Sequence, residues 1–290
     1  MTQQTHPRYP VFVMCGRDAK RRRLLEVHDP EGNYKAKGLL PFLGKRLVEW
    51  QLDVLRESPH VEGLYLLGLS EEDIQFDYPV HYVPVDTTAD FADKLMAGKA
   101  YLDSMGKSPT MIIISSSDAP GIRLEEVNTF FEALVKHRSC EFVVSLVPEQ
   151  VAEAVFPRSG RVVARFRDYQ VFPGELYALS PRAISLGHEV INELSARRRK
   201  INRTKKKVGM GPMLRFVAKR PSMWPVIIKY LLGLATLADA EKGFSRAFGC
   251  KTKGIIIPEA GFGMDMDLPE DYARLEAYVK KTKLGEKQIG

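Results

Sequence analysis

The segment Thr110-Met-Ile-Ile-Ile-Ser-Ser-Ser-Asp118 is the strongest indication of fold, because a short apolar run ends there in an aspartate. Such a run is typical of a strand buried on both faces of a parallel sheet. Ala-Pro-Gly follows, and Leu124, Val127, Phe131 and Leu134 then recur at helical spacing. Ligands of open α/β sheets bind beyond the carboxyl ends of the strands, so Asp118 is predicted to face that crevice.

Strand and helix patterns alternate on both sides of this segment. A capping-box pattern, Thr87-Thr-Ala-Asp90, predicts that a helix begins at Thr87. A further helix is predicted over 45–56, and further strands over 11–15, 63–69, 78–85 and 142–146. This order favours a three-layer α/β/α fold of Rossmann-like type, with a mostly parallel central sheet.

The second half of the chain is less regular. A strand pair is predicted over 162–166 and 170–179, helices over 181–196 and 237–248, a last strand over 252–257 and a last helix over 269–281. The sequence contains no internal repeat and no low-complexity linker. We therefore expect a single domain over 1–290, in which 150–250 is an embellishment that receives a second substrate.

Composition excludes several classes of protein. The three cysteines among 290 residues are too few and too scattered for a disulfide framework or a zinc site. The net charge is +7, but 197–207 alone carries eight cations and no acid, so the remainder is close to neutral at −1. Because the positive charge is confined to one stretch, we do not expect the protein to bind nucleic acid. The N-terminus lacks an apolar signal segment, and a cytoplasmic enzyme is expected.

A second aspartate near the C-terminus completes a candidate metal site. Asp267 precedes Pro269, which is predicted to lie in the first turn of the last helix. Carboxylates from Asp118 and Asp267, brought together by the fold, would form a hard-oxygen site suited to Mg²⁺. The Asp265-Met-Asp267 pattern itself leaves open which aspartate would bind the metal.

Two N-terminal segments have the groups needed to hold a triphosphate. The first strand ends at Cys15-Gly16, and the cationic loop that follows contains Arg17 and Arg21. Backbone N–H groups and guanidinium groups there would face phosphate oxygens, although a glycine after a strand is usually only a turn. Lys37 opens a Lys-Gly-Leu-Leu-Pro string and would neutralise charge on an α-phosphate, or it is a solvated surface lysine.

Five motifs in order carry a resemblance to a known family. They are Met14-Cys-Gly-Arg-Asp-Ala-Lys-Arg21, Lys37-Gly-Leu-Leu-Pro41, Val85-Asp-Thr-Thr-Ala-Asp90, Ser117-Asp-Ala-Pro120 and Asp265-Met-Asp-Leu-Pro-Glu-Asp271. The chain resembles the MobA-like nucleotidyltransferases of the NTP-transferase superfamily, which have a GT-A-type fold. It departs from the family pattern at Arg17 and Ser117, where the family has glycine, and at Leu268, where it has threonine.

The resemblance implies Mg²⁺-dependent transfer of a nucleoside monophosphate from an NTP to a phosphorylated acceptor, with release of pyrophosphate. It implies that Lys37 and Arg21 are catalytic, that Asp118 and Asp267 bind the metal, and that Asp265 lies behind the metal ligands or on the surface. Gly174 and Glu175 would contact the acceptor. The implied nucleotide-binding residues are Cys15, Gly16, Arg17, Arg21, Lys37, Asp86, Thr87 and Thr88, of which the last three could equally form a plain helix cap.

Two other functions remain open at this level. One is a GT-A glycosyltransferase that uses a nucleotide-sugar, and the other is a non-catalytic nucleotide-binding or membrane-surface protein. The expected partners are an NTP and a small phosphorylated acceptor, without nucleic acid. The basic and apolar stretch 197–232 is a candidate for peripheral membrane contact, and its apolar part is equally a candidate for packing in the core or in a homodimer.

Overall fold

The structure, a computed structural model, describes residues 6–16, 23–86, 89–188 and 218–285. The predictions for Arg17, Arg21, Thr87, Thr88 and the basic stretch 197–207 therefore lie outside the described residues. The first half comprises β1 (Tyr9–Met14), α1 (Arg23–His28), β2 (Pro41–Phe42), β3 (Lys45–Arg46), α2 (Leu47–Glu57), β4 (Val61–Leu67), β5 (His81–Val83), α3 (Phe91–Ser104), β6 (Ile112–Ser115) and α4 (Leu124–Lys136).

The second half of the chain contains the remaining four strands of the sheet and the remaining helices of the described residues. Its elements are β7 (Phe142–Pro148), α5 (Glu149–Val155), β8 (Ala164–Arg165), β9 (Gln170–Leu179), a helical stretch over 181–188, α6 (Trp224–Leu231), α7 (Leu237–Phe248), β10 (Thr252–Ile256) and α8 (Pro269–Lys283). Single 3₁₀ turns lie at Lys37–Leu39, Pro221–Met223 and Gly261–Gly263. Within the described residues, no helix is long and apolar enough to cross a bilayer.

The central sheet has the strand order β10-β7-β9-β6-β1-β4-β5, with β8 paired to β9. β1 is parallel to both β4 and β6, β4 is parallel to β5, and β7 is parallel to β10. Among the strands of the described residues, β9 alone interrupts this pattern within the main path, because it runs antiparallel to β6 and to β7. The predicted mostly parallel α/β sheet is confirmed.

Side chains of β1 show why this strand is a continuous apolar run in the sequence. Val11 and Val13 belong to the core that α2 and α4 cover, whereas Phe12 belongs to the core that α3 covers. Alternate residues of a strand point to opposite faces, so a strand covered on both faces must be apolar throughout. α3 lies so close to β1 that a Cβ at Gly98 would be 2.5 Å from the Phe12 ring.

Several predicted boundaries differ from the structure. α3 begins at Phe91 with Asp90 as its N-cap, and the Asp93 carboxylate accepts from the Asp90 N–H at 3.2 Å. The predicted start at Thr87 is wrong because Asp90-Phe-Ala-Asp93 repeats the same capping pattern three residues later. The strand predicted over 78–85 is shortened to β5. The β8–β9 pair and helix α7 are confirmed.

Candidate active site

Three groups that are far apart in sequence meet at the carboxyl ends of the parallel strands. Lys37 lies in the 3₁₀ turn before β2, Asp118 follows β6, and Asp267 precedes α8. The Lys37 ammonium pairs with the Asp118 carboxylate and with Asp267 Oδ1, the latter at 2.5 Å. It also donates to the Met266 carbonyl at 3.2 Å. The exposed fractions of the three side chains are only 12%, 10% and 13%, so this is a buried charge network.

The turn that carries Asp118 is held by a buried glutamine. Gln51 of α2 donates from Nε2 to the Ser115 hydroxyl at 2.6 Å and accepts from the Ala119 N–H at 3.1 Å. Its contacts thus bracket Asp118 on both sides. Because Gln51 is fully buried, these hydrogen bonds face little competition from water.

Backbone contacts tie the same turn to two other segments. The Met266 N–H donates to the Asp118 carbonyl at 2.9 Å, which joins the two acidic loops. The Ser117 hydroxyl donates to the Met14 carbonyl at 3.1 Å and so joins the turn to the end of β1. The orientation of Asp118 is therefore set by neighbours on three segments.

The Asp267 loop is fixed by the start of α8. The Asp271 carboxylate accepts from the N–H groups of Asp267 at 3.2 Å and Leu268 at 2.8 Å, which caps the helix. Burial raises the pKa of Asp271 to about 6, although those N–H donors and Arg161 favour its ionised form. Asp271 thus positions Asp267 by binding the backbone N–H groups on either side of it.

A second group of carboxylates surrounds Asp118. Oxygen atoms of Asp118, Glu175 and Asp265 all lie within 4.8 Å of one another, and all three residues are buried. Glu175 reaches this position because β9 is inserted beside β6, with Leu176 paired to Ser115. Arg161 pairs with the Asp265 carboxylate and also donates to the Asp265 carbonyl at 3.2 Å.

Among the residues that the structure describes, negative charge exceeds positive charge at this cluster. Burial raises the pKa of Asp118; the Lys37 ammonium opposes the increase, while Asp265 and Asp267 add to it. When all groups are ionised, the described side chains of the cluster and of the adjoining Lys37–Asp267 pair carry an excess of two negative charges. The carboxylates are those of Asp118, Glu175, Asp265 and Asp267, and the cations are Lys37 and Arg161. Clustered carboxylate oxygens with this excess fit a hard divalent cation such as Mg²⁺.

The structure brings together Lys37, Asp118, Asp267 and Glu175 from the residues predicted for the site. Its cluster of three carboxylates also includes Asp265, which the resemblance places behind the metal ligands or on the surface. Both aspartates of the Asp265-Met-Asp267 pattern thus lie at the site. Their contacts differ, because Asp267 pairs with Lys37 and Asp265 pairs with Arg161.

The other predicted residues occupy varied positions. Cys15 donates its N–H to the Leu67 carbonyl, and burial raises the pKa of its thiol to about 12, so its side chain stays protonated at neutral pH. Gly16 and Asp86 are exposed, two and three residues beyond the ends of β1 and β5. Gly174 is tightly packed, since a Cβ there would lie 2.7 Å from the Ser145 hydroxyl oxygen.

Sequence reasoning missed Arg161, Lys94 and Gln51. Lys94 is buried in the first turn of α3, and its ammonium lies 3.6 Å from the position of a Cβ at Gly68. The sequence feature that could have pointed to Lys94 is its position next to the apolar stripe of this helix. Arg161 lies in a loop without periodicity, and the partners of Gln51 lie 64 to 68 residues away, so neither had a local signal.

Comparison with known proteins shows the fold. No protein-family model matches the sequence, and a search of curated proteins finds no match. A hypothetical transferase from Thermus thermophilus is similar with 23% identity and a TM-score of 0.65, covering 91% of this chain and 99% of that one. A CMP:2-keto-3-deoxy-manno-octonic acid synthetase, solved in complex with CTP, gives 12% identity and a TM-score of 0.53, covering 94% and 99%.

A third solved structure leads to the same fold. The 4-diphosphocytidyl-2C-methyl-D-erythritol synthase from Anaerococcus prevotii gives 14% identity and a TM-score of 0.51, covering 94% of this chain and 99% of that one. At these identities the similarity concerns architecture. The chain therefore shares the fold of these solved structures, in which helices flank a mostly parallel sheet.

Proposed function

We propose that this protein is an Mg²⁺-dependent nucleotidyltransferase, which transfers a nucleoside monophosphate from an NTP to a phosphorylated acceptor and releases pyrophosphate. The observation that carries the proposal is the convergence of Asp118 and Asp267 on the Lys37 ammonium beyond the ends of the parallel strands. Ligands of open α/β sheets bind in this crevice. The fold supports the proposal, because the solved structure that contains CTP shares it.

The reaction needs charge neutralisation more than proton transfer. A phosphate oxygen of the acceptor is already ionised, and it would attack the α-phosphorus in line as pyrophosphate leaves. Asp118 and Asp267 are the proposed ligands of Mg²⁺, which when bound would supply Lewis-acid stabilisation of the phosphate oxygens. The carboxylates of Glu175 and Asp265 lie close enough to Asp118 to complete the donor set.

Lys37 has a double role in this proposal. Before nucleotide binds, it holds the buried carboxylates of Asp118 and Asp267 together. With nucleotide and metal bound, its ammonium would be released to stabilise negative charge on the α-phosphate. Arg21 would add a second cation at the phosphates.

The remaining assignments complete the proposed substrate sites. The triphosphate would lie along the segment from Cys15 to Arg21, and Asp86 to Thr88 would contact base or ribose. Glu175 and the adjacent Gly174 would lie on the acceptor side, which is formed by the 150–250 region of a single domain. We also propose that the chain is a MobA-like member of the NTP-transferase superfamily.

A thermal-shift screen of the four NTPs, each with and without Mg²⁺, tests the binding step. A ligand that binds only the native state raises the melting temperature. We expect one NTP to stabilise the protein in an Mg²⁺-dependent manner. Pyrophosphate release from that NTP is then measured with a panel of sugar phosphates, polyol phosphates and cofactor-precursor phosphates.

The substitution Asp118→Asn should lower the rate of pyrophosphate release by about two to four decades, because it removes a charge from the metal-binding group. The matched control is Asp53→Asn on α2, whose carboxylate pairs with Lys45 and Arg56 away from the site. Stabilisation by nucleotide-sugars in place of NTPs would point to a glycosyltransferase. Stabilisation by an NTP without turnover on any acceptor would leave only a nucleotide-binding role.

A further inference from the structure

Helix α6 and the turn that follows it expose several large apolar side chains, which together we call the apolar face. It consists of Trp224, Ile228, Leu231, Leu232 and Leu234, which are 54% to 69% exposed. The first three recur at helical spacing of four and three residues, so they lie along one side of the helix. Single exposed apolar residues are common on protein surfaces, but a group of five along one element marks an interaction surface.

The side of α6 opposite to the apolar face is partly buried. Val226 and Ile227 contact Met223 together with Phe244 and Phe248 of α7. The Tyr230 hydroxyl accepts from the Arg165 N–H at 3.0 Å. α6 is therefore apolar on both sides, and only one of them packs against the described part of the chain.

Two more contacts connect this element to the sheet. The Arg167 N–H donates to the Ala235 carbonyl at 2.8 Å, and the Leu237 N–H donates to Asp168 Oδ1 at 3.0 Å. Residues 165–168 belong to the β8–β9 hairpin, and β9 continues to Glu175 and beyond. The apolar face is thus fixed relative to the sheet and does not form part of the candidate active site.

The sequence that leads into the apolar face is strongly basic. Between Glu193 and Asp239 the sequence contains twelve Lys or Arg residues and neither Asp nor Glu. The chain as a whole has a charge of +7, so the rest of it carries −5. Among the described residues, Lys219 and Arg220 precede the helix, and Lys229 lies within it, where it pairs with Asp239 at 2.8 Å and keeps 52% of its side chain exposed.

We propose that the apolar face docks this protein on an anionic lipid surface. An apolar helix side inserts at the boundary between headgroups and acyl chains, and neighbouring cations bind the negative headgroups. Trp224 suits such a boundary because its ring is exposed while its indole N–H donates to the Ala218 carbonyl at 2.8 Å. A second protein surface would need apolar area but not a stretch of twelve cations without an acid. The basic sequence next to the apolar face therefore favours anionic lipid as the occupant.

Tryptophan fluorescence of the full chain tests this proposal directly. The chain has two tryptophans, of which Trp50 is buried and Trp224 is 55% exposed. Vesicles of phosphatidylcholine and phosphatidylserine should shift the emission to shorter wavelength, because Trp224 leaves water. Vesicles of phosphatidylcholine alone should not, and the shift should disappear in Trp224→Phe.

Co-sedimentation with the same vesicles gives the second measurement. The double substitution Leu231→Ser and Leu232→Ser should lower the partition coefficient at least about tenfold, and added salt should lower it further by screening. The matched control is Val155→Ser with Leu284→Ser, two apolar residues exposed by 42% and 49% elsewhere on the surface. This control should bind vesicles like the unsubstituted protein.

Three results would overturn the proposal. They are the absence of binding to the anionic vesicles, equal binding to neutral vesicles, and unchanged binding after the leucine substitutions. Light scattering identifies the alternative occupant, since a dimer that dissociates in the leucine variant without vesicle binding would assign the face to a second copy of the chain. Pyrophosphate release is measured separately, so failure of docking is distinguishable from failure of the proposed activity.

Discussion

The candidate active site and the apolar face depart from ordinary protein structure in opposite directions. At the site, Lys37, Asp118 and Asp267 place ionised groups in an interior where their exposed fractions are near one tenth. On α6 and the turn after it, large apolar side chains such as Leu231 and Leu232 are about two-thirds exposed, at 69% and 66%. Folding alone favours neither arrangement. Buried charged groups lose their hydration, and apolar side chains that stay in water contribute no hydrophobic stabilisation.

The contrast shows how function can be located without a bound ligand. Both regions keep an unfavourable arrangement that most of a folded chain avoids, and natural proteins break local rules mainly where they bind or react. The buried site satisfies its charges internally by ion pairs and backbone hydrogen bonds. In our proposal, the exposed side of α6 is instead covered by an anionic lipid surface.

The largest stability effect is expected from Lys37→Met. Removing the ammonium leaves two carboxylates close to each other in a buried position, which should lower the free energy of unfolding by about 3 kcal/mol without Mg²⁺. Mg²⁺ should restore part of the loss, because it can replace the missing positive charge. Urea unfolding with and without Mg²⁺ measures both effects.

Lys45→Met on β3 is the control for this substitution. Lys45 also pairs with an aspartate, but it is 45% exposed, so its loss should cost no more than about 0.5 kcal/mol. Equal losses of unfolding free energy in the two variants would mean that burial does not make the Lys37 ion pairs more important for stability than an exposed pair. The contrast between a buried and an exposed ion pair would then fail.

The second prediction concerns a buried carboxylate that lies away from the site. Glu126 of α4 is fully buried, and burial raises its pKa from 4.5 to about 7. Between those values the folded state keeps a proton that the unfolded chain releases, so stability falls as pH rises through this window. The fall amounts to about 3 kcal/mol at most.

Glu126→Gln should flatten this part of the stability curve, measured by urea unfolding between about pH 4.5 and 7. Some slope should remain, because the pKa of Asp271, raised by burial to about 6, contributes with the same sign. Glu132→Gln on the exposed side of α4 is the control and should leave the slope unchanged. A slope that persists in full in the Glu126 variant would contradict the assignment.

Gln51→Ala should have a smaller effect, about 2 kcal/mol, because it leaves the buried Ala119 N–H and Ser115 hydroxyl without this partner. The turn that carries Asp118 would then lose its side support, so pyrophosphate release should fall more than stability alone explains. Gln150→Ala at an exposed position of α5 should change neither quantity. Loss of stability with full activity would show that Gln51 only packs.

The smallest effect on stability is expected for a substitution in the apolar face. Leu231→Ser should change the free energy of unfolding by less than about 0.5 kcal/mol, since the side chain is 69% exposed and buries little area on folding. The result is read by urea unfolding without lipid. A loss comparable to that of Lys37→Met would mean that the leucine packs within the fold and that the apolar face does not exist in solution.

Short-range patterns predict much of the fold. The apolar runs at 110–118 and 142–146 are too short for helices, and the helical stripe between them indicates a parallel sheet. The structure has β6 and β7 at these positions. Lys37, Asp118 and Asp267 could likewise be named from motifs that each span only a few residues, and the structure brings them together.

The contacts that other residues make at the site could not be predicted from local patterns. Glu175 meets Asp118 only because β9 runs antiparallel between β6 and β7, and strand pairing over such distances leaves no periodic signal. Arg161 meets Asp265 across 104 residues from a loop. The start of α3 is misplaced in the prediction because two successive capping patterns are equivalent in sequence.

Hydrophobic periodicity and helix capping act over a few residues, so the amino-acid order was enough to assign most strands and helices and to find the charged residues that follow the strands. The position of Lys37 between Asp118 and Asp267, the approach of Glu175 and Asp265, and the outward side of α6 became known only from the folded chain. Those outcomes depend on burial and on pairing between distant segments, where the free energy of a charge or an apolar side chain is set by its neighbours in space.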